Sequence, residues 1–129
     1  MDKSIKILLV DDEEDFRQLM AFWLESKGYA ILTASNGQEA VKVVKNEAPD
    51  IIFLDLHMPV MDGVTALKEI RTFNKDVPVI VISAHTGDPK AREAMASGIS
   101  GVFPKSNNFE EGLTLLESVL RTHKKLKDK

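Results

Sequence analysis

The chain has 129 residues, the size of one ordinary domain, and this length is enough to bury a single apolar core. Its formal net charge is −3 and its acidic and basic residues are interspersed, which argues against a nucleic-acid-binding domain. Cysteine is absent, so disulfides, thiolate metal sites and cysteine nucleophiles are excluded.

The N-terminal region predicts a protein that stays in the cytoplasm. In "MDKSIKILLVDDEED" the apolar stretch is too short for a signal peptide and turns acidic at once. No run in the chain approaches the length of a membrane span. We therefore expect a cytoplasmic protein without membrane contact, and the lack of cysteine fits a reducing compartment.

Five short apolar runs predict β-strands, at residues 5–10, 30–34, 51–54, 79–82 and 101–104. The first, third and fourth runs are continuously apolar and rich in Val and Ile, as expected of strands that are covered on both faces. The second and fifth are shorter or mixed in polarity. This pattern indicates three central strands and two edge strands.

Segments with helical periodicity lie between these runs. The first ends at Gly28 and carries apolar residues spaced by three and four, namely Phe16, Leu19, Met20, Trp23 and Leu24. Four further helix starts are predicted from capping residues: Asn36 with Glu39, Asp62, Asp88 with Pro89, and Asn108 with Glu111. On the third of these helices, Ala91, Ala94 and Met95 form the expected apolar face.

Regular alternation of strand and helix predicts an α/β fold, a doubly wound parallel sheet with helices on both faces. In such folds ligands bind beyond the carboxyl ends of the strands. Polar residues stand at four of these ends: Asp11, Asp12 and Glu13 after the first strand, Asp55 after the third, Ser83 after the fourth and Lys105 after the fifth.

The three aspartates predict a cation site. Two unit charges about 4 Å apart repel by on the order of 4 kcal/mol at an effective dielectric of 20, so Asp11, Asp12 and Asp55 need protonation or a cation. Oxygen ligands favour Mg²⁺, which often bridges carboxylates and phosphoryl oxygens. Lys105 can neutralise the charge of a phosphoryl oxygen, and the Ser83 hydroxyl can donate a hydrogen bond to it. Asp55 can form an acyl phosphate. Singly, each residue is more often a cap, a turn residue or a solvated charge, so the combination carries the prediction.

Four motifs together resemble the receiver domain of the response-regulator family of two-component signalling, and its chemotaxis regulators in particular. They are "ILLVDDEED", "IIFLDLHMPVMDG", "VIVISA" and "GVFPKS". The resemblance implies a flavodoxin-like five-stranded sheet in the order 2-1-3-4-5. We expect a receiver domain at residues 1–122 and a basic tail or linker stub at 123–129.

The resemblance also implies the role of each site residue. Asp55 is the expected phosphoacceptor, loaded from the phosphohistidine of a sensor histidine kinase or a histidine phosphotransfer protein. Mg²⁺, or Mn²⁺ as an alternative, is expected on Asp12, Asp55 and the His57 backbone carbonyl, with Asp11 acting largely through water. Ser83 is the switch hydroxyl and Lys105 pairs with the phosphoryl group.

This function is a signalling one. The domain is expected to catalyse its own phosphorylation and slow dephosphorylation, and it is not expected to be an enzyme with a separate substrate. Phosphorylation would change its surface for an unknown downstream protein, without nucleic-acid binding by this domain.

Three features depart from the common pattern of the family. Ser106 follows Lys105 where proline is usual, and a non-proline cis bond costs about 2.5–4 kcal/mol, so we expect a trans peptide there. Val102 stands where a switch aromatic is frequent, and Phe103 is expected in the core. His57 and His85 either border the route of an attacking water and tune the acyl phosphate lifetime, or are exposed without a kinetic role.

Two rival families remain open. An enzyme of the haloacid dehalogenase type also forms an aspartyl phosphate with magnesium, but it usually has a second acid at the position of His57. A flavodoxin-like FMN protein shares the fold class, but it would favour a hydroxyl-rich phosphate loop. The sequence does not distinguish a stand-alone regulator from a receiver within a longer protein.

Overall fold

The computed structural model describes residues 4–84, 87–105 and 108–123. Within these ranges strands and helices alternate throughout: β1 (Lys6–Val10), α1 (Glu14–Ser26), β2 (Ala30–Ala34), α2 (Gly37–Glu47), β3 (Ile51–Asp55), α3 (Gly63–Arg71), β4 (Val79–Ser83), α4 (Pro89–Met95), β5 (Gly101–Pro104) and α5 (Phe109–Thr122). None of the helices in these ranges combines the length and apolarity needed to cross a membrane.

The strands form one parallel sheet in the order β2-β1-β3-β4-β5. The predicted α/β fold and its 2-1-3-4-5 order are therefore confirmed, with β2 and β5 at the edges. Both β3 and β4 extend one residue beyond their apolar runs. Asp55 and Ser83 are consequently the last residues of their strands, held in the hydrogen-bonded ladder.

Alternate strand residues point to opposite faces of the sheet, and each face packs under its own helices. One core layer lies beneath α2, α3 and α4 and includes Leu8, Val10, Ile52, Leu54, Val79 and Val81. The other lies beneath α1 and α5 and includes Ile7, Leu9, Phe53, Ile80, Ile82 and Phe103. Helices on both faces explain why the central strands are continuously apolar.

Three predicted helix starts carry side-chain caps, in which Asn36 accepts from the Glu39 amide (2.8 Å), Asp62 from the Thr65 amide (2.9 Å) and Asp88 from the Lys90 amide (2.9 Å). The other half of the predicted capping box is displaced by one residue, since the Glu39 carboxylate accepts from the Ser35 amide. Asn108 precedes α5 as predicted. The cap at Asp88 also makes tertiary contacts, described below.

Two residues that the periodicity assigns to apolar helix faces are exposed, Leu19 at 58% and Met95 at 62%. On α1 the buried stripe runs through Met20 and Leu24, so that Leu19 lies at its border. The seven-residue α4 buries Ala94 against the sheet, and Met95 points away from it. Periodicity therefore located the helices correctly but overestimated the width of their buried faces.

Gly63 brings the start of α3 against the end of β3. A Cβ at this position would overlap the Asp55 carbonyl oxygen and the Leu56 backbone. The Gly63 amide donates to the Leu56 carbonyl at 3.1 Å, which closes the loop between β3 and α3. This glycine is required for close backbone approach, and the loop it closes carries His57 past the strand end.

Candidate functional site

The three aspartates converge at the carboxyl edge of the sheet, as the strand alternation predicted. One carboxylate oxygen from each of Asp11, Asp12 and Asp55 lies within 4.8 Å of the others. Asp11 and Asp55 are buried, whereas Asp12 is exposed. The convergence follows from the pairing of β1 with β3, which sets Val10 beside Leu54 and places the residues after them, Asp11 and Asp55, at one edge of the sheet.

Burial and mutual repulsion act strongly on this cluster. Burial, then the charge of Asp11, raises the pKa of Asp55 to about 7, against the lowering effects of the His57 amide and Lys105. The pKa of Asp11 is also raised, chiefly by burial. In the absence of a cation the two buried carboxyls therefore hold protons more tightly than ordinary aspartates.

The carboxylates fit a hard cation. Within the described ranges, the buried Oδ2 of Asp11 accepts no hydrogen bond, although the Lys105 ammonium is 3.0 Å away. The Asp55 Oδ1 atom accepts a hydrogen bond from the His57 amide at 3.1 Å. The three side chains offer oxygen ligands only, and one ammonium faces two buried aspartates whose pKa values are raised, so the cluster has the donor chemistry that Mg²⁺ takes.

Lys105 reaches this cluster from the end of β5. Its Nζ atom donates to Asp11 Oδ1 at 3.0 Å, lies 3.8 Å from Asp55 Oδ2 and pairs with Glu13. The ammonium is also 5.0 Å from the centroid of the Phe16 ring. Burial lowers the pKa of Lys105, but its interactions with Glu13, Asp11 and Asp55 raise it by more, so that the pKa lies above its ordinary value. The lysine is therefore a fixed positive charge facing the aspartates.

Ser83 ends β4 next to Asp55 in the sheet, since Asp55 pairs with Ile82. Its buried hydroxyl donates to Asp88 Oδ2 at 3.0 Å. His57 also reaches this carboxylate, with Nε2 2.7 Å from the same oxygen. The structure thus places the expected switch hydroxyl at the site edge, and it adds an acid that the sequence indicated only as a helix cap.

The environment of Asp88 favours its ionised form. Burial raises the pKa of this carboxyl, but hydrogen bonds from His57, the Lys90 amide and Ser83 outweigh burial and lower the pKa overall. The His57 side chain is 47% exposed, so one end of this network reaches solvent. The expectations for His85 and for the Lys105–Ser106 peptide concern residues 85 and 106, which lie outside the described residues.

Val102 and Phe103 lie on opposite sides of β5, as strand alternation predicts. Phe103 is fully buried, with its ring edge-on to Phe53 at a centroid distance of 6.3 Å. Val102 is 41% exposed and borders a cavity of about 530 Å³ that also touches Ser83 and Asp88. The short side chain leaves open the space beside the Ser83 hydroxyl that an aromatic residue could enter.

Comparison with known proteins identifies the family. Residues 7–117 match the model for the response regulator receiver domain. The chain belongs to this family. That membership decides against the two rival families, the dehalogenase-type enzymes and the flavodoxin-like FMN proteins.

Individual receivers are similar over most of the chain. The transcriptional regulatory protein ZraR of Klebsiella oxytoca is 34% identical over 93% of this chain, which spans 27% of ZraR. The chemotaxis protein CheY4 of Vibrio cholerae superposes with a TM-score of 0.86 at 33% identity, covering 92% of this chain and 100% of CheY4. The response regulator TrrA of Thermotoga maritima, solved with Mg²⁺ and BeF, gives a TM-score of 0.78 at 33% identity over 89% of this chain and 98% of TrrA.

The curated relatives are longer proteins. This chain spans about half or less of their length, 27% of ZraR and 52% of a mycobacterial response regulator from Mycobacterium ulcerans. The comparison therefore establishes a receiver domain. It does not identify the kinase or the output of this chain.

Proposed function

We propose that Asp55 accepts a phosphoryl group from the phosphohistidine of a sensor histidine kinase or a histidine phosphotransfer protein, and that this changes the surface presented to a downstream protein partner. The observation that carries the proposal is the convergence of Asp11, Asp12 and Asp55 with the Lys105 ammonium at one sheet edge. A cytoplasmic location is part of the same proposal.

In this reaction an ionised Asp55 oxygen attacks phosphorus while the phosphorus–nitrogen bond to the donor imidazole breaks. The leaving nitrogen keeps the electron pair of the broken bond, and the imidazole leaves as a neutral ring because its other nitrogen carries a proton. Lys105 offsets negative charge on the phosphoryl oxygens, because its ammonium already faces Asp55 at 3.8 Å. The Ser83 hydroxyl is placed to donate to the same group after it leaves Asp88.

Asp12, Asp55 and the His57 backbone carbonyl would hold Mg²⁺ or Mn²⁺, with Asp11 acting largely through water. When bound, the cation supplies positive charge that lowers both the carboxylate repulsion and the barrier to phosphoryl attack. The raised pKa of Asp55, about 7 without a cation, supports this assignment, because attack needs the ionised carboxylate. The Mg²⁺ and BeF bound to TrrA are the ligands that such a site would take.

Phosphorylation can be tested by intact mass after incubation with acetyl phosphate or a phosphohistidine donor. The parent protein should gain one phosphoryl group with Mg²⁺ or Mn²⁺ and none in EDTA. Asp55→Asn should gain none, whereas Asp15→Asn, which changes an exposed acid in the first turn of α1, should match the parent. Equal labelling of the Asp55→Asn variant, or labelling that ignores EDTA, would refute the assignment.

A further inference from the structure

Asp88 joins three segments of the protein through one buried carboxylate. Its Oδ2 atom accepts from the Ser83 hydroxyl of β4 at 3.0 Å and contacts His57 Nε2, from the loop after β3, at 2.7 Å. Its Oδ1 atom accepts from the Lys90 amide in the first turn of α4 at 2.9 Å. The side chain is 2% exposed. Such a group does more than cap α4, because it fixes the position of the Ser83 hydroxyl relative to that helix.

The Ser83 hydroxyl has one proton to donate, and in this structure Asp88 receives it. A phosphoryl oxygen on Asp55 would compete for the same proton. Hydrogen bonds to a carboxylate are stronger than those to a neutral acceptor, and the Asp88 carboxylate is held in place by the Lys90 amide and the contact with His57. Movement of Ser83 toward the phosphoryl group therefore requires loss of a favourable contact with Asp88.

The space around the two side chains permits this movement. The cavity of about 530 Å³ between α4 and β5 is bordered by both Ser83 and Asp88, and by Val102 on its outer side. Once Ser83 turns away, the Asp88 side chain can readjust into that cavity without displacing the closely packed core. The contact is therefore one that can be made or released while the sheet stays intact.

We propose that Asp88 is a positioning residue that holds the Ser83 hydroxyl in the unphosphorylated state and links its release to the start of α4. The inference rests on the proposed phosphorylation of Asp55 and deepens it. When Ser83 turns to the phosphoryl group, Asp88 loses one of its partners while the same carboxylate still caps the Lys90 amide. The first turn of α4 thereby responds to the state of Asp55.

The test is a double-mutant cycle that measures the affinity of beryllofluoride, with Mg²⁺ present, by titration of amide chemical shifts. Asp88→Asn should bind beryllofluoride about tenfold more tightly than the parent, because a neutral amide competes less well for the Ser83 proton. In a Ser83→Ala background the same substitution should change the affinity less than twofold. An effect of equal size in both backgrounds would mean that Asp88 acts on the general structure, and the proposal would be overturned.

Asp62→Asn is the matched control. Asp62 also caps a helix and pairs with Lys90 of α4 at 2.6 Å, but its carboxylate accepts its described hydrogen bonds from Thr65 and Lys90. Its substitution should change beryllofluoride affinity less than twofold in either background. A His57→Ala background separates the other contact of Asp88, and there the tenfold effect of Asp88→Asn should persist.

A measurement on the unsubstituted protein keeps the proposal testable if Asp88→Asn folds poorly. Addition of Mg²⁺ and beryllofluoride should shift the ¹³C resonance of the Asp88 carboxyl and the amide resonance of Lys90. If the parent binds beryllofluoride and neither resonance moves, Asp88 has no part in the switch while the phosphoacceptor assignment stands. If the parent does not bind beryllofluoride at all, the proposed function fails and this inference fails with it.

Discussion

Two polar clusters lie at the carboxyl edge of the sheet: the acidic cluster of Asp11, Asp12 and Asp55, and a second cluster of Ser83, Asp88 and His57. They differ in how their charges are satisfied. In the acidic cluster, Asp11 and Asp55 are buried, their pKa values are raised, and Oδ2 of Asp11 accepts no hydrogen bond from the described residues. In the second cluster, the Asp88 carboxylate has three hydrogen-bond partners among the described residues and a lowered pKa. Both carboxyl environments are buried, but the charge of Asp11 adds to burial in raising the pKa of Asp55, whereas the hydrogen bonds to Asp88 outweigh its burial. The first cluster is suited to receive a ligand, and the second is suited to hold a conformation.

Among the residues of the two clusters, the largest expected loss of stability comes from removing the Lys105 ammonium, the positive charge that faces Asp11 and Asp55. Lys105→Met should lower the free energy of unfolding by about 3 kcal/mol in EDTA, because it leaves Asp11 and Asp55 buried without their cation. Urea denaturation at pH 8 measures the loss. Lys90→Met is the control, since the Lys90–Asp62 pair is partly exposed and such pairs contribute about 0–1 kcal/mol. Equal losses in the two variants would show that the acidic cluster is not short of positive charge.

The acidic cluster should also reveal itself through pH. A carboxyl whose folded pKa is raised contributes stability that is present below its unfolded pKa, near 4, and is lost as pH rises through about 7. In EDTA, Asp55→Asn should therefore be more stable than the parent at pH 8, by on the order of 2–4 kcal/mol, and similar to it at pH 4. Mg²⁺ should stabilise the parent more than the variant.

Denaturation curves at pH 4, 6 and 8 check this expectation, with Asp15→Asn as the exposed-acid control. A constant difference between Asp55→Asn and the parent across the three pH values would contradict the raised pKa. A gain in stability from Mg²⁺ that is equal in both proteins would place the cation elsewhere.

The acidic cluster could be predicted from the sequence because it depends on topology alone. Asp11, Asp12, Asp55 and Lys105 each follow an apolar run, and parallel strands bring their carboxyl ends to one edge whatever the connecting loops do. The strand positions and the helix starts followed from equally local signals, with errors of one residue at the strand ends, whereas the strand order came from the resemblance to the receiver family.

The second cluster was missed because it depends on the shape of a loop. Asp88 reads in the sequence as a helix cap beside Pro89, and nothing local indicates that its second oxygen reaches Ser83 and His57. The pairing of Glu13 with Lys105, across more than 90 positions of the chain, was equally invisible. Contacts of this kind depend on side-chain direction in three dimensions, which periodicity does not encode.

Asp88→Asn should have the opposite effect on stability to Asp55→Asn. A carboxyl whose folded pKa is lowered contributes stability that is present above its unfolded pKa, near 4, and is lost as pH falls through its folded value. The variant should therefore be less stable than the parent at pH 7, by about 1–3 kcal/mol, since it loses hydrogen bonds to a charged acceptor. The difference should shrink below about pH 4. A variant as stable as the parent at pH 7 would show that this cluster is not better satisfied than the acidic one.

The smallest effect is expected at Val102, which borders the second cluster from outside. Its side chain is 41% exposed, has a single strongly preferred χ1 rotamer and buries little area in either state, so it can transmit little of the change at Ser83. Val102→Ala should alter the free energy of unfolding by less than about 0.5 kcal/mol and beryllofluoride affinity by less than twofold. Phe103→Ala, on the buried side of the same strand, should cost about 3–5 kcal/mol.

In the parent, beryllofluoride should move the amide resonances of Asp55, Ser83, Asp88 and Lys105 further than that of Val102. If the largest chemical-shift changes instead centred on Val102 and extended along α5, the conformational change would be transmitted through β5, and the Ser83–Asp88 contact would have no part in it.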